Sequence, residues 1–205
     1  MAITNGYATL AQFQAYANMS TLTAGETTTI EKAIESASRS IDRITNRRFY
    51  ADSTVQQRFY RPIDWYRLDV DDISTTTGIE VAFDQTGNGN YTQVLVFNTD
   101  YILDPINAPQ KAIPYTRVVM VGATTFSVLY SWRSAVRVTA KYGWYDGVAP
   151  DDIIEATLIL SADLFKRASS VGGVLGLSEL GAIRMSPLGR DIAAMTRAYR
   201  RDVIA

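Results

Sequence analysis

The sequence predicts an α+β fold: a helical core of about four helices drawn from the two chain ends, with a mainly antiparallel β lobe inserted between them. Three observations predict it. Apolar residues recur at helical spacing from Thr9 to Arg47. Between Ala51 and Pro150 that period gives way to short runs of β-branched and aromatic residues punctuated by Gly, Asn, Asp and Pro. The helical period then returns at Pro150 and continues toward the end. The expected division is 1–50 and 150–205 for the helical core with its C-terminal arm, and 51–149 for the lobe. Insertion at a surface point of a helix pair is economical because domain termini usually lie close together.

Thr9 opens T-L-A-Q, a capping box with Gln12, and Leu10, Phe13 and Ala17 follow on one face, so a helix is expected from 9 to about 19. Ile30, Ile34, Ala37, Ile41 and Ile44 recur at steps of four and three, with Glu31, Lys32, Glu35, Arg39, Asp42 and Arg43 on the other faces. A second helix is expected there, from about 26 to 47, with Glu35 and Arg39 at the i,i+4 spacing that favours an ion pair.

The middle offers candidate strands at 56–60 (QQRFY), 65–70 (WYRLDV), 78–83 (GIEVAF), 92–97 (TQVLVF), 101–103 (YIL), 116–121 (TRVVMV), 126–130 (FSVLY) and 135–143 (AVRVTAKYG). Their connections are too short for parallel crossovers, so a largely antiparallel sheet or small barrel is expected. At 150–152, proline and two aspartates suit the first turn of a helix and its positive dipole end. Ile154, Leu158, Ser161, Phe165 and Ala168, flanked by Ile153, Thr157, Leu160 and Leu164, make a stripe wide enough for burial on more than one side. That helix is expected to end near Ser170, before Gly172-Gly173. Ser186-Pro187 reads as N-cap and first helical position of a last helix running to Ile204, with Leu188, Ile192, Met195, Tyr199 and Val203 on one stripe and Arg190, Arg197, Arg200 and Arg201 off it.

A chain of 205 residues buries roughly 70% of its unfolded surface and holds a sizeable core without staples. It has neither cysteine nor histidine. Disulfides, thiolate sites, Ser-His-Asp and Cys-His catalysis and histidine-bearing zinc sites are thereby excluded. With 20 basic and 21 acidic side chains there is no general attraction to nucleic acid or an anionic membrane. From Leu164 onward, however, seven basic residues face three acidic ones, so the carboxyl end is the basic end. MAITNGYATL lacks the basic and apolar regions of a leader, and no apolar run approaches the ~20 residues that span a bilayer, so a cytosolic protein or one released by lysis is expected.

Four segments invite a functional reading. Asp84–Tyr91, DQTGNGNY, places Asp84, Asn88 and Gly89 as a calcium loop would, but Thr86 stands at the third position and Leu95 at the twelfth, where a bidentate glutamate belongs. The flanks alternate like strands, so a hairpin tip is expected, with positive φ supplied by Gly87, Asn88 and Gly89. Gly176 and Gly181 have P-loop spacing, but Ala182-Ile183 replaces the lysine and hydroxyl that hold phosphate and magnesium, and a linker is expected. Asp69, Asp71 and Asp72 could serve a carboxylate hydrolase or a metal pair; a turn after a strand is the expectation. The arginines of the last helix suit a solvated face, a protein partner or DNA phosphates. Twelve tyrosines add support for an assembly surface.

In order and spacing, YATLAQFQAYA, IEKAIESASRSIDRITNRRFY with its Ala37, Ser38, Ile41, Asp42, Thr45, Arg47, Phe49 pattern, LDVDDISTTTGIEVAF, DYILDPINAP, VRVTAKYGW and LILSADLFKRASS resemble the head-to-tail connector proteins of long-tailed bacteriophages, also called adaptor or head-completion proteins. The resemblance covers most of the chain. It implies a non-enzymatic virion protein of the neck, assembled in the host cytoplasm, that forms a homo-oligomeric ring of portal symmetry, a dodecamer in the virion. Such a ring extends the channel through which genome DNA passes without sequence-specific binding. The implied partners are the portal protein and a neck stopper or tail-completion protein, with no cofactor, metal or membrane. The residues offered for portal or ring contact are Arg184, Arg190, Met195, Arg197, Tyr199, Arg200 and Arg201. The alternative is a nucleic-acid-binding module using the basic C-terminal helix.

Overall fold

The computed structural model describes residues 3–62, 64–126, 135–169 and 188–201, with only the backbone described at 169 and 188–190. The chain forms two compact units, one of residues 1–47 and 149–205 and the other of residues 48–148.

In the first unit, helix α1 spans Leu10–Ala17. Its capping box is formed as expected: the Thr9 hydroxyl accepts from the Gln12 N–H at 3.2 Å, and the Thr9 N–H donates to the Gln12 side chain at 2.7 Å. Helix α2 spans Ala24–Thr45, starting two residues before the expected position, because Thr23 and Glu26 make a second capping box. Its buried face is Ile30, Ala33, Ile34, Ala37, Ser38, Ile41 and Thr45. Ile44, expected on this stripe, is exposed instead; Thr45 takes the last inward place by donating its hydroxyl to the Ile41 carbonyl at 2.9 Å. Glu35 accepts the Asn5 N–H at 3.0 Å, and the Tyr7 N–H donates to the Ser38 hydroxyl at 3.0 Å, so the stretch before α1 lies along α2. Both helices end on an asparagine in the left-handed region, Asn18 and Asn46.

The fourth helix in chain order, α4 below, runs Asp151–Ser169 and packs against α1 and α2. Ile153, Ala156, Thr157, Leu158, Ser161 and Asp163 are buried, which is the wide burial expected of it, whereas Ala168 is exposed. Phe13 of α1 meets Phe165 of α4 edge to face at 5.9 Å. Together with Ala8, Ile30, Ile34 and Leu158 they form this unit's apolar centre.

The second unit holds seven described strands: β1 Gln56–Tyr60, β2 Arg67–Ile73, β3 Glu80–Phe83, β4 Gln93–Leu95, β5 Tyr101–Asp104, β6 Tyr115–Met120 and β7 Val136–Ala140. The run at 126–130 lies, beyond Phe126, outside the described residues. A short helix, α3, Ala108–Lys111, was not expected from the sequence. The strands form two antiparallel sheets, ordered β1-β7-β3-β4 and β2-β6-β5. Their inward residues, among them Leu68, Val70, Val81, Phe83, Leu95, Leu103, Val118, Val136 and Val138, make one shared core.

Asp69, Asp71 and Asp72 belong to β2, which corrects the expected turn. Alternation sends Asp69 and Asp71 outward and Asp72 into a buried position. Asp69 pairs with Arg117 at 2.8 Å and Asp71 with Arg58 at 2.6 Å, so charge carried by other strands lets carboxylates stand in a strand.

Candidate assembly surfaces

Helix α5 spans Leu188–Thr196 and is followed by a single 3-10 turn, Arg197–Tyr199. The expected helix to Ile204 stops there: Arg200 is extended (φ −65, ψ 132), and the Arg201 N–H leaves the helix to donate to the Thr45 carbonyl at 2.8 Å. The Asn46 side-chain amide donates to the Arg201 carbonyl at 3.1 Å, and the Tyr199 hydroxyl donates to Asp152 at 3.1 Å. Helix α5 packs on α4 and α2 through Ile192 and Thr196, both buried.

The seven residues proposed from the sequence therefore divide. Met195 and Tyr199 are half-buried, Arg201 is half-buried with its backbone bound to the end of α2, and Arg197 and Arg200 are exposed. Arg184, Ser186-Pro187 and the glycine-rich segment lie outside the described residues, as does the side chain of Arg190.

DQTGNGNY is the broad tip of the β3–β4 hairpin. Asp84 organises it, accepting the N–H groups of Thr86 at 3.2 Å, Gly87 at 2.8 Å, Asn88 at 3.3 Å and Gly89 at 2.7 Å. Burial works against its charge, but these four donors prevail and hold the carboxyl below the ordinary aspartate range. The loop thus spends on its own backbone the oxygens that a calcium loop would spend on an ion. Positive φ is taken by Gly87 and Gly89 but not by Asn88, which corrects that expectation. Among the described residues no group of three or more acidic side chains could hold a metal ion, and no helix is long and apolar enough to cross a membrane.

Strand register assembles two outward faces that no local pattern announces. Across the three-stranded sheet, Asp69, Arg117 and Asp104 stand in one row, with Arg117 2.8 Å from Asp69 and 3.3 Å from Asp104. Across the four-stranded sheet the corresponding row is Phe59, Arg137, Ala82 and Val94, of which Ala82 is covered and buried. Arg137 is paired with Glu80 at 2.6 Å, and Tyr91 folds over this row, its ring 5.3 Å from Phe59 and 5.5 Å from the Arg137 guanidinium. Phe59, Val94 and Val96 each keep half or more of their surface exposed. Trp65 and Tyr66, at the entrance to β2, do the same.

Between the sheets a polar cluster joins β1 to β2. Arg58 stacks 3.9 Å over the Tyr142 ring, and the Tyr60 hydroxyl donates to Asp71 at 2.9 Å. Burial, and then the neighbouring Tyr142, push the Tyr60 hydroxyl up. These contacts tie β1 of one sheet to β2 of the other.

No protein-family model matches the sequence, and no curated protein matches it significantly. The fold does match solved structures. A chain in the neck of a native gene transfer agent particle, computed with C12 symmetry, is similar with a TM-score of 0.57 and 15% identity, over 100% of this chain and 94% of that one. One in the neck of an empty gene transfer agent particle, computed with C6 symmetry, has a TM-score of 0.56 and 14% identity, over 100% and 95%. A third, in the virion of the native particle, has a TM-score of 0.55 and 16% identity, over 100% and 95%. The whole chain, helical ends and β middle alike, therefore has the fold of chains found in the neck of a phage-like particle.

Proposed function

We propose that this chain is a structural, non-enzymatic neck protein of a tailed-phage-like particle. It forms a ring under the portal, extends the DNA channel and presents a platform to the next neck or tail protein. The observation that carries this reading is the end-to-end fold similarity to neck chains, over 100% of this chain and 94% of the other. Those neighbours come from assemblies computed with C6 and C12 symmetry, which supports a cyclic homo-oligomer. The ion-paired carboxylates of β2 and the self-satisfied Asp84 loop support a non-catalytic role.

In this reading the helical unit builds the ring wall and the β unit is an inserted lobe. The terminal segment contributes the portal-facing charge: Arg197 and Arg200 reach outward, while Met195 and Tyr199 seat the segment on its own helices. Negative-stain imaging of the protein mixed with the portal protein of the same virion tests the reading. Rings capping the portal are expected; a portal that stays bare at saturating protein rejects it.

A further inference from the structure

We propose that the outward row of the four-stranded sheet is a lateral contact between copies of this chain, filled by the Trp65–Tyr66 corner of the next copy. The inference rests on the ring reading above and adds a surface to it. A cyclic head-to-tail contact is heterologous, so each copy must carry two different, complementary patches. Among the described residues, two clusters of exposed apolar side chains in the β unit meet that need, on different sheets. One is formed by Phe59, Val94 and Val96, exposed around the half-buried Arg137 and Tyr91, with Ala82 buried beneath them; the other is the aromatic pair at the entrance to β2.

The alternative outward face, on the three-stranded sheet, carries the Asp69–Arg117–Asp104 row, where one guanidinium is shared by two carboxylates and the net charge stays negative, a poor seat for an indole. An exposed indole and phenol are the side chains that anchor contacts most often. The receiving row suits them: aromatic and aliphatic surface surrounds a guanidinium that is already paired with Glu80 and stacked near Tyr91.

Size argues for this occupant as well. The face offers three side chains that keep half or more of their surface exposed, Phe59, Val94 and Val96. A stable pair buries about 800 Å² per partner. This face alone is too small to hold two free molecules together, but it serves where a template already aligns the copies, since each ring subunit then makes the contact twice.

The chain has no native cysteine, so single cysteines report contacts cleanly. Val94→Cys and Arg67→Cys, both at exposed positions and the second leaving Trp65 and Tyr66 in place, are assembled on portal separately and as a mixture, then treated with a short bis-maleimide. Linked dimers are expected in the mixture and in neither variant alone. Val94→Cys linking to itself points to a two-fold contact and overturns the proposal. A mixture that forms rings without linking overturns the proposal and leaves the neck function standing. If the unsubstituted chain does not join portal at all, both fall. As a second measure, Val94→Glu is expected to keep the thermal midpoint while raising the concentration for half-maximal ring assembly about tenfold or more; unchanged assembly counts against the contact.

Discussion

The backbone N–H of Arg201 donates to the carbonyl oxygen of Thr45 at 2.8 Å, joining the terminal segment to the last turn of α2. The left-handed Asn46 completes the closure by donating its side-chain amide to the Arg201 carbonyl at 3.1 Å. Two separable effects follow. Asn46→Gly keeps the backbone conformation and deletes the exposed amide, costing about 0.5–1 kcal/mol in chemical denaturation. Arg197→Glu with Arg200→Glu alters only exposed charge and should shift stability within about 0.5 kcal/mol. The same double variant should weaken association with portal in a binding titration, and full affinity would remove these two residues from the contact.

Gly143 crosses the Tyr50–Ala51 segment so closely that a Cβ would lie 2.1 Å from the Tyr50 carbonyl oxygen and 2.7 Å from the Ala51 Cα, at φ +135. These neighbours are backbone and cannot swing aside. Gly143→Ala is expected to cost about 3 kcal/mol or more. Gly89→Ala, where φ is +88 but the space is open, should cost only about 1–2 kcal/mol. Equal midpoints for the two variants in urea would show that the close approach is relieved elsewhere.

Asp84 supplies a pH signature. Its folded carboxyl lies below the ordinary value, so the loop's contribution to stability is fully present above about pH 4 and is lost as pH falls through the depressed folded value. Asp84→Ala should lower the thermal midpoint at neutral pH and flatten its decline in acid. In hydrogen exchange it should deprotect the amides of Gly87 and Gly89, while amides in β6 keep their protection. An unchanged acid limb would assign the loop's stability to something other than this carboxylate.

Two buried tyrosines should behave oppositely. The Tyr101 hydroxyl is buried with no hydrogen-bond partner among the described residues, whereas that of Tyr142 donates to the Val138 carbonyl at 2.9 Å. Tyr101→Phe should therefore be neutral or stabilising, and Tyr142→Phe should cost about 1 kcal/mol. Burial, reinforced at Tyr101 by the charge of Glu80, pushes both hydroxyls up to about 12. Folded tyrosines then keep protons that the unfolded chain has lost, so stability is full below about pH 10 and falls as pH rises through the folded values. Denaturation followed at increasing alkaline pH reads this slope, which Tyr101→Phe should reduce.

Much of the fold was legible because its signals are local. The Thr9–Gln12 box, the isoleucine spacing of α2 and the β-branched runs each carry their own structure within a few residues. The failures share a cause, which is a partner distant in sequence. Asp69 and Asp71 looked like turn residues because their arginines, 117 and 58, sit on other strands. The last helix looked continuous to Ile204 because its apolar period persists, but the Thr45 carbonyl captures the Arg201 amide. Helix α3, four residues with Pro109 near its start, is too short to show a period. Strand order was hidden too: among the described strands only β3–β4 and β5–β6 pair as sequence neighbours, and the rows across the two sheets exist only once register is set. Assembly surfaces differ from catalytic motifs in this respect, since no fixed spacing of residue types announces them.

The central proposal is that this chain closes into a ring on portal, and the mass of its complex with portal tests that most directly. The account predicts a complex carrying one set of copies matched to the symmetry of the ring, twelve as in the C12 neck to which the fold is similar. A mass corresponding to portal alone, or to one or two copies bound without a closed ring, would contradict it.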